Sequence, residues 1–345
     1  MAIFPSIKDD AGKIIKAGIS EKIYMDVGGI RQGMFLRGMD TSKPVLLFLH
    51  GGPGSPELAM GMNTEGERKL AKFFVVCYWD QRGAGMSFSS KINQATMTVS
   101  QMIEDTKEVT LYLQKRFNKD KIYIMGHSWG TYLGIKTISK YPELYYAYMG
   151  MGQVTNQKKS EILAYHYMLE EAKRRKEAKA IQRLQAFDVN DASFPPMKYI
   201  QGIRSKLMNE YGIGVMHENA SMSKMLKDMI KFKGYTLKEK MNYMRGLLFS
   251  QKLLFPNIIK DSLFVSSKSF NIPVFILHGK YDYQVSYDLA KEYYESIDAP
   301  RKGYYTFEHS AHSPFWEEPE AFAVALREIV KYSEEARDNE QRTSK

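Results

Sequence analysis

The stretch Ile122-Tyr123-Ile124-Met125-Gly126-His127-Ser128-Trp129-Gly130 decides how this chain is read. Four residues of strand character run into a G-x-S-x-G pentapeptide, and residues 131–140 continue as a helix. A strand that turns sharply into a helix at this pattern lifts a serine hydroxyl above a sheet, where it can attack a carbonyl. The turn forces the serine into a strained backbone conformation, and glycines on both flanks let strand and helix approach closely. The pentapeptide alone is weak, since roughly one chain in ten of this length carries it by chance. Other residues have to separate it from a turn that merely contains serine.

The segments around it alternate. Strand patterns fall over 44–50, 73–79, 122–125 and 145–151, with helical patterns over 66–71, 99–117 and 131–140. Met102, Val109, Leu111 and Leu113 are among the apolar positions of the helix over 99–117. Strands that are apolar throughout and separated by helices predict a parallel sheet covered on both faces. Ahead of them, 22–26 and 31–37 flank Val27-Gly28-Gly29, a hairpin signal. After Gly152 the alternation stops, and 157–259 reads as helical, notably over 160–186 and 222–232. It resumes with strands over 272–278 and 303–307 and helices over 287–296 and 319–332. The expected architecture is an α/β core, residues 1–152 and 270–345, interrupted by a helical insertion over 153–269. The polar tail from Ser333 to Lys345 is expected to fray.

Composition removes several function classes. The longest apolar runs, such as 45–49 and 274–277, are far too short to span a bilayer. The start MAIFPSIKDD lacks a basic-then-apolar signal pattern. A cytoplasmic chain is therefore expected, with a trimmed membrane-anchored precursor as the alternative. The single cysteine, Cys77, lies in an apparent strand and reads as a buried, inert thiol. With one cysteine and no clustered histidines, a structural zinc site is not expected, and nucleophilic chemistry on a serine would need no cofactor. The formal net charge of +10 is concentrated: residues 155–268 hold 21 lysines and arginines against 11 aspartates and glutamates, leaving 28 of each elsewhere. A solvated helical surface explains this blandly, and attraction to an anionic substrate or surface explains it sharply. The basic residues are interrupted by acidic ones, and no nucleic-acid-binding motif accompanies them.

In open parallel sheets, sites form at the carboxyl ends of the strands. Those ends carry His50-Gly51-Gly52-Pro53-Gly54, Asp80-Gln81-Arg82-Gly83, Ser128, His278-Gly279-Lys280-Tyr281-Asp282 and Glu308-His309-Ser310-Ala311-His312. Serine, aspartate and histidine thus emerge at one rim in the order Ser, Asp, His. A serine hydroxyl needs a base to remove its proton, and a carboxylate fixes that base's tautomer. Ser128 is the expected nucleophile, His312 the base and Asp282 the acid. The N–H groups of Trp129 and Gly52 are expected to face the oxyanion. His309 competes with His312, but it follows its strand closely and reads as a local hydrogen-bonding residue. Asp288 falls on the next helix. Asp80 is a runner-up acid, expected instead to pair with Arg82. His50 is read as pinning the glycine turn, and His127 as structural.

These residues resemble the α/β-hydrolase superfamily, and within it the proline iminopeptidase-like serine hydrolases of peptidase family S33. The matching elements are HGGPG at 50–54, DQRGAGMS at 80–87, GHSWG at 126–130, the stretch ending at Asp282, and SAHSPFWEEPEAF at 310–322. The resemblance implies a triad of Ser128, Asp282 and His312, and a helical cap domain between the sixth and seventh strands. It also implies an aminopeptidase-type activity on a small ester, amide or short peptide, with cap carboxylates holding a free amino group. The cap's Glu161, Glu170, Glu171 and Glu177 match no such role, and its nine methionines suit either an adaptable apolar pocket or ordinary core filling. A carboxylesterase with a hydrophobic acyl site is the alternative activity, and a non-catalytic binding relative a further one. Epoxide hydrolases and dehalogenases of this fold carry aspartate where Ser128 stands. Contact of the basic cap with a membrane surface rests on charge alone at this point, and the oligomeric state is not legible.

Overall fold

The computed structural model describes residues 4–9, 11–218 and 221–343. Side chains at 222, 334 and 336–343 lie outside that description, as do Ser344 and Lys345 at the end of the tail expected to fray.

Eight strands form one sheet: β1 (Ile19–Val27), β2 (Ile30–Gly38), β3 (Val45–Leu49), β4 (Val75–Trp79), β5 (Ile122–His127), β6 (Tyr145–Met151), β7 (Val274–Gly279) and β8 (Lys302–Phe307). Their order is β1-β2-β4-β3-β5-β6-β7-β8. The β1–β2 hairpin turns at Gly28-Gly29 and pairs antiparallel with β4, while every pairing from β4 to β8 is parallel. The chain leaves β3 for β4 on one side and returns to β5 on the other. The crevice between the ends of β3 and β5 is therefore the topological switch point, where ligands bind in sheets of this kind.

Alternation along each strand feeds two cores. On β3, Val45, Leu47 and Leu49 enter one layer, with Val109, Leu113, Leu133 and Tyr293 from the helices on that face. Leu46 and Phe48 enter the other, with Leu70, Phe322, Leu326 and Ile329. A period of two with both faces covered explains why these strands are apolar throughout. Cys77 is buried beside the Met34 thioether, and burial pushes its thiol up. In the helix Val99–Phe117, Met102, Val109 and Leu113 are buried but Leu111 is 44% exposed, so that position is solvent-facing rather than core. The last helix runs from Pro319 to Thr343, beyond the boundary read from the sequence.

The described chain between β6 and β7 is helical, and its main pieces are Gln157–Arg174, Ala178–Gln185, Met222–Lys231 and Leu237–Lys260. The longest starts at a capping box in which Thr236 and Glu239 satisfy each other's backbone N–H groups. This segment has its own small core, built around Tyr165, Met168, Phe194, Tyr199, Leu207 and Met208. No helix among the described residues is long and apolar enough to cross a membrane.

Candidate active site

β5 ends in a tight turn. Ser128 sits at φ 54° and ψ −120°, a left-handed conformation that costs a non-glycine residue about 1–3 kcal/mol. The surroundings over-determine it: its N–H donates to the Met151 carbonyl (3.0 Å), and its own carbonyl accepts from Thr131 N (2.8 Å) and Oγ1 (2.6 Å). The flanking glycines are required by contact. A Cβ on Gly126 would lie 2.3 Å from the Gly130 carbonyl oxygen, and one on Gly130 would lie 2.0 Å from that of Leu49.

The glycine turn after β3 is fixed by His50. Its Nδ1 donates to the Gly51 carbonyl (2.9 Å), and its Nε2 accepts from Gln81 N–H (3.1 Å). Gln81 in turn accepts from the Trp129 indole (2.9 Å), tying this turn to the one carrying Ser128. Gly52 has φ +110°, which favours glycine, and Gly52, Ser128 and Trp129 all line one cavity of about 500 Å³. Trp129 opens the helix Trp129–Lys140, so its N–H is among those with no partner inside the helix.

Across that cavity, His312 Nδ1 lies 2.7 Å from Asp282 Oδ2. Asp282 is fully buried, and its Oδ1 accepts from the N–H groups of Gln284 (2.9 Å) and Val285 (3.1 Å). His278 Nε2 adds a contact at 3.2 Å. Burial works to raise the Asp282 carboxyl, but His312 and His278 outweigh it and hold it well below the usual carboxylate range. Burial lowers His312, only partly offset by Asp282, which favours the neutral imidazole that a general base requires. With Nδ1 committed to Asp282, Nε2 is the nitrogen left to take a proton. Gly152, at φ +60° just after β6, makes room for this pair: a Cβ there would lie 2.9 Å from two ring atoms of His312.

The structure brings Ser128, His312, Asp282, Gly52 and Trp129 to one rim. His309 is exposed, its N–H bonded to Glu318, and Asp288 is exposed on its helix. The expected Asp80–Arg82 pair does not form. Arg82 makes a fully buried ion pair with Asp105 (2.7 Å), whereas Asp80 accepts from Met86 N–H and the Tyr235 hydroxyl. Burial pushes Asp80 up to about 7. A guanidinium two residues away in sequence points along the opposite side of the loop, towards the helix Val99–Phe117.

Glu57 escaped sequence reading, and His127, read there as structural, is its partner. Glu57 Oε1 accepts from Gly51 N–H (2.9 Å) and from His127 Nδ1 (2.7 Å), and Glu57 Oε2 is buried without a hydrogen-bond partner. His127 Nε2 donates to the His312 carbonyl (2.8 Å), and the two rings lie 4.8 Å apart. Burial disfavours the His127 cation, but the Glu57 hydrogen bond and charge prevail and raise it. Because both ring nitrogens face acceptors, the doubly protonated form is the one that satisfies them. Glu57 follows HGGPG by three residues, but no spacing rule links it to position 127.

The helical segment between β6 and β7 lines the cavity with Met197, Ile200, Met225, Leu226, Met229 and Met244. Its carboxylates are engaged elsewhere: Glu161 with Arg204, Glu170 with Lys173, Glu171 with Arg174 and Arg175, and Glu177 with the Tyr211 hydroxyl. The methionines divide, with Met168 and Met208 in the cap core and four others at the cavity wall. Among the described residues no group of three or more histidine, cysteine, aspartate or glutamate side chains could hold a metal ion.

The sheet order and the serine turn are those of an α/β-hydrolase, an enzyme fold. The sequence pattern of the family described as "Serine aminopeptidase, S33" matches residues 68–320. The chain is 34% identical over 319 residues to the probable aminopeptidase YbaC of Bacillus subtilis, covering 92% of this chain and 98% of that protein. It is 24% identical to a proline iminopeptidase of Heyndrickxia coagulans, over 89% and 97% of the two chains. The solved proline iminopeptidase of Mycobacterium smegmatis superposes with a TM-score of 0.67 at 16% identity, over 92% of this chain and all of that one. The chain belongs to the S33 serine aminopeptidase family.

Proposed function

We propose that this enzyme cleaves a small amide, ester or short peptide through an acyl-enzyme formed on Ser128. The observation that carries this reading is the buried His312–Asp282 contact, with His312 lining the same cavity as a serine held in a left-handed turn. His312 Nε2 takes the Ser128 proton as Oγ attacks the carbonyl carbon. The N–H groups of Trp129 and Gly52 receive the developing oxyanion, and His312 returns the proton to the leaving group. Water then repeats the sequence and frees the acid. Asp282 stays ionised and stabilises the imidazolium.

The substrate reading favoured by the family and by the relatives' names is an aminopeptidase, and the methionine-, leucine- and isoleucine-lined cavity suits a residue with an apolar side chain. Among the cavity-lining residues, Glu57 is the acidic one in place to meet a free amino group. A second reading, a carboxylesterase for apolar acyl groups, is favoured by the methionine- and leucine-lined cavity and by the engaged cap carboxylates. Aminoacyl arylamides, including that of proline, should be compared with their N-acetylated forms and with acyl esters. Turnover that requires the free amino group supports the aminopeptidase. Indifference to acetylation supports the esterase, and turnover retained by Ser128→Ala rejects both.

A further inference from the structure

The longest cap helix, Leu237–Lys260, carries an unusual outer face. Leu237, Met241, Met244 and Leu248 are 76%, 47%, 45% and 56% exposed. Their spacing of four, three and four residues places them on one stripe. The neighbouring helix Met222–Lys231 adds Leu226 and Ile230, 48% and 54% exposed, and Lys240 Nζ bonds to the Ile230 carbonyl across the junction. Met229, on the same apolar side of that helix, is buried, so only part of this side is used in packing. Exposed apolar side chains gathered on one stripe and on the helix before it mark an interaction surface.

Charge identifies the partner. Exposed Lys227, Lys231, Lys238, Arg245 and Lys252 border the patch. The two acidic residues of these helices do not counter them: Asp228 pairs with Lys224, and Glu239 is buried against Lys22. Aliphatic side chains ringed by cations are what an amphipathic helix presents when it lies in a lipid headgroup layer, to a depth of about 5–10 Å. Long lysine stems reach past the apolar zone to the phosphates. We infer that this face of the cap docks reversibly on an anionic lipid bilayer. Leu226 and Met244 belong both to the patch and to the cavity wall, so docking turns the cavity mouth towards the lipid. The inference is independent of the reaction on Ser128.

The test is co-sedimentation of the full chain with vesicles of phosphatidylcholine alone and of phosphatidylcholine mixed with phosphatidylglycerol. Binding is expected to the mixed vesicles and to weaken as salt is raised. Leu237→Asp combined with Leu248→Asp should reduce it at least about tenfold, and Lys231→Glu combined with Lys238→Glu should do the same. Both variants should keep the wild-type melting temperature and turnover of a soluble ester, which shows that the loss is not misfolding. Absence of binding to mixed vesicles overturns the inference, as does equal binding to neutral ones. A stable dimer in sedimentation velocity that the aspartate variant dissolves also overturns it, because a second copy then covers the patch.

Discussion

At the residue scale, Ser128 holds strain and Glu57 holds charge. Ser128→Ala should keep the fold and lower kcat/KM by at least about 10⁴-fold, measured beside a thermal melt. Ser128→Gly removes the Cβ from a left-handed position and should raise unfolding free energy by about 1 kcal/mol, checked by denaturant titration. Since burial lowers His312, kcat/KM should rise with pH through a value below the ordinary imidazole pKa of about 6.5. The His127 cation contributes to that lowering. Glu57→Gln withdraws the partner that keeps His127 charged, so the acidic limb of the pH profile should move upwards. An unmoved limb would show that Glu57 only holds the glycine turn. The residues proposed as nucleophile, base and acid could be picked out in the sequence because each follows a strand end. Glu57–His127 was not, since it is a contact between two turns 70 residues apart.

At the element scale, the loops at the strand ends are held by buried polar contacts. Arg82 and Asp105 are both inaccessible, and the guanidinium also donates to the Gly28 carbonyl in the β1–β2 turn. Asp105→Ala leaves an uncompensated buried cation and should cost about 3–5 kcal/mol by denaturant unfolding. The sequence suggested an Asp80–Arg82 pair because proximity along the chain is all it displays. It carried no sign that a residue on the helix Val99–Phe117 would reach the loop. The strands were readable because a sheet covered on both faces demands unbroken apolar runs. Helix ends were less so, and the turn at 175–177 that divides the first cap helix from the second has no glycine or proline to announce it.

At the scale of the whole molecule, acid stability should follow Asp282. Its folded-state pKa is depressed, so its stabilising share is complete above the unfolded carboxylate value of about 3.9. That share is lost as pH falls through the lower folded value. The gap in melting temperature between the wild type and Asp282→Asn should therefore be widest near neutrality and close as pH drops below about 4. The helical segment between β6 and β7 was visible as the place where strand periodicity stops and later returns. The shape of the cavity was not, since it depends on how far the cap helices lean over the sheet. One feature of the rim reaches across the molecule. The hydrogen bond from His127 to the His312 carbonyl ties the loop after β8 to the last residue of β5, 185 positions away. When heat makes the two halves of the sheet jostle, imidazole and hydroxyl are carried as passengers on the same strut. In the proposed reaction, the spacing across which a hydrogen passes from hydroxyl to imidazole should therefore drift less than the scaffold around it.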